Sequence, residues 1–161
     1  MRHKVQFADL SVQDADEQQE LHEALTNVLA HGRLILGPEV AALEEKIAAI
    51  CGRKFAVGVA SGTSAIVLAL RALEIGPGDR VVTSALSWLA SGTSISLVGA
   101  EPVFADVRED FNIDPDALEM AIDSRCKAIL PVNYAGKICD YSRILNTARV
   151  AGIPTIEDAS Q

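Results

Sequence analysis

An α/β fold is predicted, with a parallel or mostly parallel sheet carrying helices on both faces. Three observations predict it. From Phe55 onward, short β-branched runs alternate with helical stretches, the rhythm of a parallel sheet with crossover helices. Hydrophobic residues make up 49% of the 161-residue chain but aromatics only 4%, so the core is aliphatic, as suits helices packed on such a sheet. Punctuation falls between the runs: Gly76-Pro77-Gly78-Asp79 turns into Val81-Val82, and Asp114-Pro115 sets an N-cap before a first-turn proline.

In chain order, Val5, Phe7 and Leu10 lie in a loosely extended start. Residues 14–29 read as a helix with Leu21, Leu25, Val28 and Leu29 on one side, closed by Gly32. Pro38 fits the first turn of a second helix, in which Val40, Leu43, Ile47 and Ile50 recur at spacings of three and four and Gly52 is the stop. Strands are then expected near 55–59, 80–83, 103–107, 127–132 and 153–157. Helices are expected at 63–73, 88–98, 115–122 and 141–151. Ligands of such sheets gather beyond the carboxyl ends of the strands, which singles out Ser61–Ser64, Ser84–Ser91 and Glu157–Gln161.

The formal net charge is −8 with no basic stripe, which argues against a nucleic-acid partner. Cys51, Cys126 and Cys139 are widely spaced and lack any Cys-x-x-Cys, which fits a reducing, cytoplasmic setting and argues against a disulfide framework. His3, His22 and His31 stand at no metal-ligand spacing, so no metal site is expected. The start lacks a signal peptide's apolar core, and no apolar run is long enough to span a membrane.

Ser61-Gly62-Thr63-Ser64 follows an apolar run and opens an apolar helix. It is either an N-cap or a phosphate cup, built from unpaired backbone N–H groups and the helix dipole. Trp88, the one tryptophan, is either a packing residue or a flat plate for an aromatic ligand. Asp158 is either a turn cap or a ligand group, and Gln161 can project to the same side. Together, a phosphate cup, a plate and a carboxylate suit a phosphorylated pyridine cofactor, whose ring nitrogen needs an acid to stay protonated.

The chain resembles the sugar aminotransferases of the DegT/DnrJ/EryC1/StrS family, fold-type I pyridoxal-phosphate enzymes, from about Phe7 to Gln161. The resemblance rests on Gly37-Pro38-Glu39-Val40 with Leu43-Glu44, on Ser61-Gly62-Thr63-Ser64-Ala65, and on Ile75-Gly76-Pro77-Gly78-Asp79-Arg80-Val81-Val82, where Arg80 replaces a usual Glu. It rests also on Ser87-Trp88-Leu89-Ala90-Ser91, Gly99–Asp106, Lys127–Val132 and Glu157-Asp158-Ala159-Ser160-Gln161. It implies that Gly62 and Thr63 hold the cofactor phosphate, Trp88 stacks on the ring, Asp158 pairs with the pyridine nitrogen and Gln161 reaches the phenolic oxygen. It further implies pyridoxal 5′-phosphate as cofactor, a keto sugar linked to a nucleotide as substrate, glutamate as amino donor, and a homodimer for the complete protein.

Asn133-Tyr134-Ala135-Gly136-Lys137 departs from the family's usual His-Leu-Tyr-Gly-Gln. None of Lys4, Lys46, Lys54, Lys127 and Lys137 stands in the family's Schiff-base lysine motif, so no catalytic residue is assigned. The expectation is a chain truncated before that lysine and inactive alone. Residues 1–36 would form an N-terminal helical segment and 37–161 the N-terminal part of the cofactor-binding large domain. The alternative is a remnant of the fold that acts as a non-catalytic binding or interaction module.

Overall fold

The structure, a computed structural model, describes residues 10–161. The expected extended start at Val5 and Phe7 lies outside the described residues. Two compact units divide the chain, one ending at Gly58 and the other running Val59–Gln161.

The first unit holds α1 (Ala15–His31) and α2 (Pro38–Ile50). Asp14 caps α1 by accepting the N–H groups of Asp16 and Glu17 at 3.0 and 2.9 Å, which satisfies two donors the helix leaves free. Leu21, Leu25 and Leu29 share one side of α1, as their spacing predicts, and all three are exposed. The expected strand near 55–59 does not form. Gly58 donates its N–H to Glu44 Oε1 of α2 at 2.7 Å rather than to a strand carbonyl. A Cβ at Gly58 would stand 3.3 Å from Val40 Cγ1, a tight contact that the Val40 side chain would have to yield to by a few tenths of an ångström.

The second unit is a parallel sheet in the order β2-β1-β3, with β1 at Arg80–Ser84, β2 at Glu101–Ala105 and β3 at Cys126–Leu130. Alternate residues face opposite sides, and the core accordingly has two halves. Val81, Ala128 and Leu130 pack with Ile66 and Leu70 of α3 (Gly62–Ala72) and Ile95 of α4 (Leu89–Leu97). Val82, Ala105 and Ile129 pack with Leu118 of α5 (Pro115–Ala121) and Ile144 and Ala148 of α6 (Tyr141–Ala151). Burying each large aliphatic side chain of these halves contributes roughly 1.5–3 kcal/mol. Helices therefore cover both faces, as expected.

Residues 153–157 run beside β3 without forming a continuous strand. Ile129 donates to Pro154 O at 3.0 Å and accepts from Ile156 N–H at 2.8 Å, and Asp158 N–H reaches Pro131 O at 3.0 Å. Only isolated parallel bridges result, Ile129 with Thr155 and Val132 with Asp158. Pro131 has no N–H to carry the ladder between them.

The leading ends of the strands are tied by charge. Arg80 donates to Asp123 Oδ2 at 2.7 Å and to Glu101 Oε1 at 2.8 Å. The Arg80 guanidinium, joined by the Arg125 N–H, holds the Asp123 carboxyl down to about 2. A carboxyl depressed in the folded state stabilises it above the ordinary value of 3.8, and that contribution is lost as pH falls toward 2. Asp123→Asn is therefore expected to flatten the fall of stability over this window, measured by urea unfolding at successive pH values. An unchanged slope would refute the linkage.

Candidate active site: a cleft at the strand ends

The three loops singled out by the strand-end rule meet at one cleft of about 570 Å3. Its wall consists of Gly62, Thr63 and Ile66 of α3, Leu86, Ser87, Trp88 and Ala90 after β1, Tyr134 after β3, and Asp158, Ser160 and Gln161. All five residues expected to bind a cofactor thus line a single cavity.

Ser61 stands in extended backbone before α3, and its Oγ accepts the Ser64 N–H at 3.1 Å. The Ala65 N–H goes to Ser61 O at 3.0 Å. The N–H groups of Gly62 and Thr63 have no acceptor among the described residues, so the positive end of the helix opens on the cleft. The two readings of this stretch coexist: Ser61 is the cap, and the first turn beyond it offers donors. Nothing lies within 4 Å of where a Cβ of Gly62 would stand, so an anion can come up to the backbone.

Trp88 precedes α4 and is 79% exposed, which rules out a core-packing role. Ser87 Oγ and Ser91 Oγ lie 2.7 Å apart beneath its loop and hold the entry to the helix. Asp158 is half-buried. Its Oδ1 accepts the Ser160 N–H at 3.1 Å and the Ser160 hydroxyl at 2.6 Å, so the carboxylate is oriented by its own turn. Gln161 Oε1 accepts the Ala135 N–H at 2.7 Å.

Tyr134 is a wall residue that the strand-end reading did not single out, and Ser160 stands inside the singled-out stretch Glu157–Gln161 without having been given a role. The same rule applied to the end of β3 finds Tyr134, and the Asp-x-Ser turn finds Ser160. The Cys139 thiol, behind the Tyr134 loop, is pushed up to about 11, chiefly by burial, and stays an unreactive thiol. Among the described residues, no three His, Cys, Asp or Glu side chains gather as a metal site, and no helix is long and apolar enough to cross a membrane.

The donor set fits a phosphorylated aromatic cofactor on this structure's own terms: two free helix N–H groups beside open space, an exposed indole and an oriented carboxylate. Comparison with known proteins points the same way. The sequence model of the DegT/DnrJ/EryC1/StrS aminotransferase family matches residues 15–161. The chain is 40% identical over 158 residues to the UDP-2-acetamido-2-deoxy-3-oxo-D-glucuronate aminotransferase of Pseudomonas aeruginosa, covering 98% of this chain and 44% of that protein. It is 40% identical over 159 residues to the dTDP-3-amino-3,4,6-trideoxy-alpha-D-glucose transaminase of Streptomyces venezuelae, covering 98% and 42%. A Brucella abortus aminotransferase of the DegT/DnrJ/EryC1/StrS type superposes with a TM-score of 0.92 at 39% identity, over 98% of this chain and 44% of that one. The Bacillus subtilis protein NtdA with bound pyridoxamine phosphate superposes with a TM-score of 0.88 at 34% identity, over 92% and 34%. The chain thus spans less than half the length of these relatives.

Proposed function

Because the chain belongs to the DegT/DnrJ/EryC1/StrS aminotransferase family, we propose that its cleft is the pyridoxal-phosphate site of an enzyme that transfers an amino group to a nucleotide-linked keto sugar. One observation carries this reading: the open first turn of α3, the exposed Trp88 ring and the oriented Asp158 carboxylate share one cavity. Gly62 and Thr63 would receive the phosphate on backbone N–H groups, strengthened by the helix dipole. Trp88 would cover one face of the ring and keep water from it. Asp158 would hold a proton on the pyridine nitrogen, since an adjacent anion favours the charged form. Gln161 would donate to the phenolic oxygen. When bound, the cofactor supplies an electron sink for carbanion chemistry.

Among the described residues no lysine lines the cleft, so the residues named here bind, orient and hold protons, and covalent attachment is assigned to none of them. UDP and dTDP sugars appear in the names of relatives at 40% identity, which supports a nucleotide-linked substrate and a role in amino-sugar or polysaccharide synthesis. Glutamate as donor, a cytoplasmic setting and a homodimeric complete enzyme belong to the same proposal. So does the assignment of residues 37–161 to the cofactor-binding large domain, with 1–36 as a helical segment before it.

The test uses pyridoxamine 5′-phosphate, whose amine cannot condense with surface lysines. Amide spectra of the isotope-labelled chain are expected to show the largest shifts at Gly62 and Thr63, saturating with the ligand and reversed by excess inorganic phosphate. Shifts confined to residues outside the cleft would overturn the reading.

A further inference from the structure

Asn112 carries a carboxamide that plays no part in the proposed chemistry. Asn112 is only 1% exposed. Its Oδ1 accepts the Tyr134 N–H at 3.0 Å, and its Nδ2 donates to Lys137 O at 3.1 Å and Ile138 O at 3.4 Å. The backbone partners leave no choice of amide orientation, because an N–H only donates and a carbonyl only accepts. One buried side chain therefore clamps both ends of the turn 134–138. Asn133, also buried, anchors the same turn through Cys139 N–H on Oδ1 at 3.0 Å and Glu157 Oε1 on Nδ2 at 2.8 Å.

Between these anchors Ala135 sits at φ 52°, ψ 30°, a left-handed conformation that is strained for a residue with a Cβ. The surrounding hydrogen bonds hold it there. In that conformation its N–H meets Gln161 Oε1 at 2.7 Å. The Gln161 oxygen is thereby committed, and the amide NH2 is the end left to donate into the cleft that Gln161 lines.

We propose that Asn112 is a positioning residue of the cleft, which clamps the 134–138 turn so that the Ala135 N–H sets the polarity of the Gln161 amide and leaves its NH2 as the donor to a bound phenolic oxygen. The inference rests on the reading of the cleft as a pyridoxal-phosphate site. The strain at Ala135 is the cost of aiming that N–H, and Asn112 maintains it from outside the cavity.

The experiment is a double-mutant cycle on binding of pyridoxamine 5′-phosphate, read by calorimetry and by the absorbance of the bound ligand against pH. Gln161→Glu keeps the acceptor for Ala135 and removes the donor, so it is expected to weaken binding about tenfold. Asn112→Ala is expected to weaken it by a similar factor, and the double variant by no more than the larger single effect. Both single variants are expected to raise the pKa of the bound phenol, because a lost donor no longer favours its anion. A merely structural Asn112 would lower affinity without moving that pKa. Should Asn112→Ala not fold, Asn112→Asp keeps the Tyr134 contact, turns the donor side into an acceptor, and answers through the same two readouts. Ala135→Gly, which keeps the N–H and relieves the strain, is expected to bind as well as the unaltered chain. Multiplying single effects, or a phenol pKa unmoved in the Asn112 variant, would overturn the inference and leave the reading of the cleft standing. Failure of the unaltered chain to bind the ligand would overturn that reading, and the inference with it.

Discussion

Asp158→Asn is expected to weaken pyridoxamine 5′-phosphate binding by roughly 10- to 100-fold, the size of a hydrogen bond to a charged group. The substitution is nearly isosteric. An asparagine oxygen can still accept the Ser160 N–H and hydroxyl that orient the side chain at 3.1 and 2.6 Å, so the local turn survives. What disappears is the negative charge that the proposed site sets opposite the ring nitrogen. Without it the protonated nitrogen loses its counter-ion, and the bound ring is expected to deprotonate at a lower pH than in the unaltered chain. The absorbance of the bound ligand across a pH series reads this directly. Unchanged affinity and an unmoved titration would remove Asp158 from the site. Ser160→Ala is a useful companion: it deletes one of the two donors to Oδ1 and is expected to have a smaller effect in the same direction.

The largest expected loss of stability follows Leu70→Ala. Leu70 is fully buried among Ile66, Ile75, Val81, Ile95 and Leu130, in the half of the core beneath α3. Truncating such a leucine removes its burial and leaves a cavity, at a cost of about 3–5 kcal/mol. Domains of this kind hold only about 5–15 kcal/mol in total. A fall of the urea midpoint by about 1 M or more with an unchanged denaturant slope is expected. A loss under about 1 kcal/mol would mean that this side chain is not packed as described. The position also links core to cleft, since Leu70 pins the same helix whose first turn carries Gly62 and Thr63.

Helices were legible because their signals are local. Asp114 and Asp140 each cap a helix through the side chain, as their places before helical stretches suggest, and Asp14, read as the first residue of its helix, is the cap of α1. Gly152 closes α6 at φ 67°, where a residue with a Cβ would be strained. Strands were legible only where a partner exists. The run Phe55–Val59 has the composition of a strand, but composition does not reveal that Glu44 takes the Gly58 N–H. The stretch 153–157 reads as a strand but makes only isolated bridges to residues 129 and 132, because the effect of Pro131 on its ladder depends on a register that only the folded chain defines.

The cleft was legible for a different reason. Strand carboxyl ends must converge in a parallel sheet, so residues one to four positions beyond them meet whatever their identity. Applied to the expected strands, that rule singled out the stretches that hold Gly62, Thr63, Trp88, Asp158 and Gln161, although no strand forms before Gly62 and only isolated bridges form before Asp158. It has no purchase on Asn112, whose three backbone partners lie 22 to 26 residues away and leave no periodic or motif signature.

The proposed occupant of this cleft is a phosphorylated pyridine ring. Trp88 is the chain's one tryptophan and is largely exposed on the cleft wall, so its emission reports on occupancy without a label. The most direct measurement is a titration of that emission with pyridoxamine 5′-phosphate and, separately, with pyridoxamine. Saturable quenching by the phosphorylated ligand at one equivalent is expected, with binding at least tenfold weaker when the phosphate is missing. Equal responses to the two ligands, or none to either, would contradict the proposal.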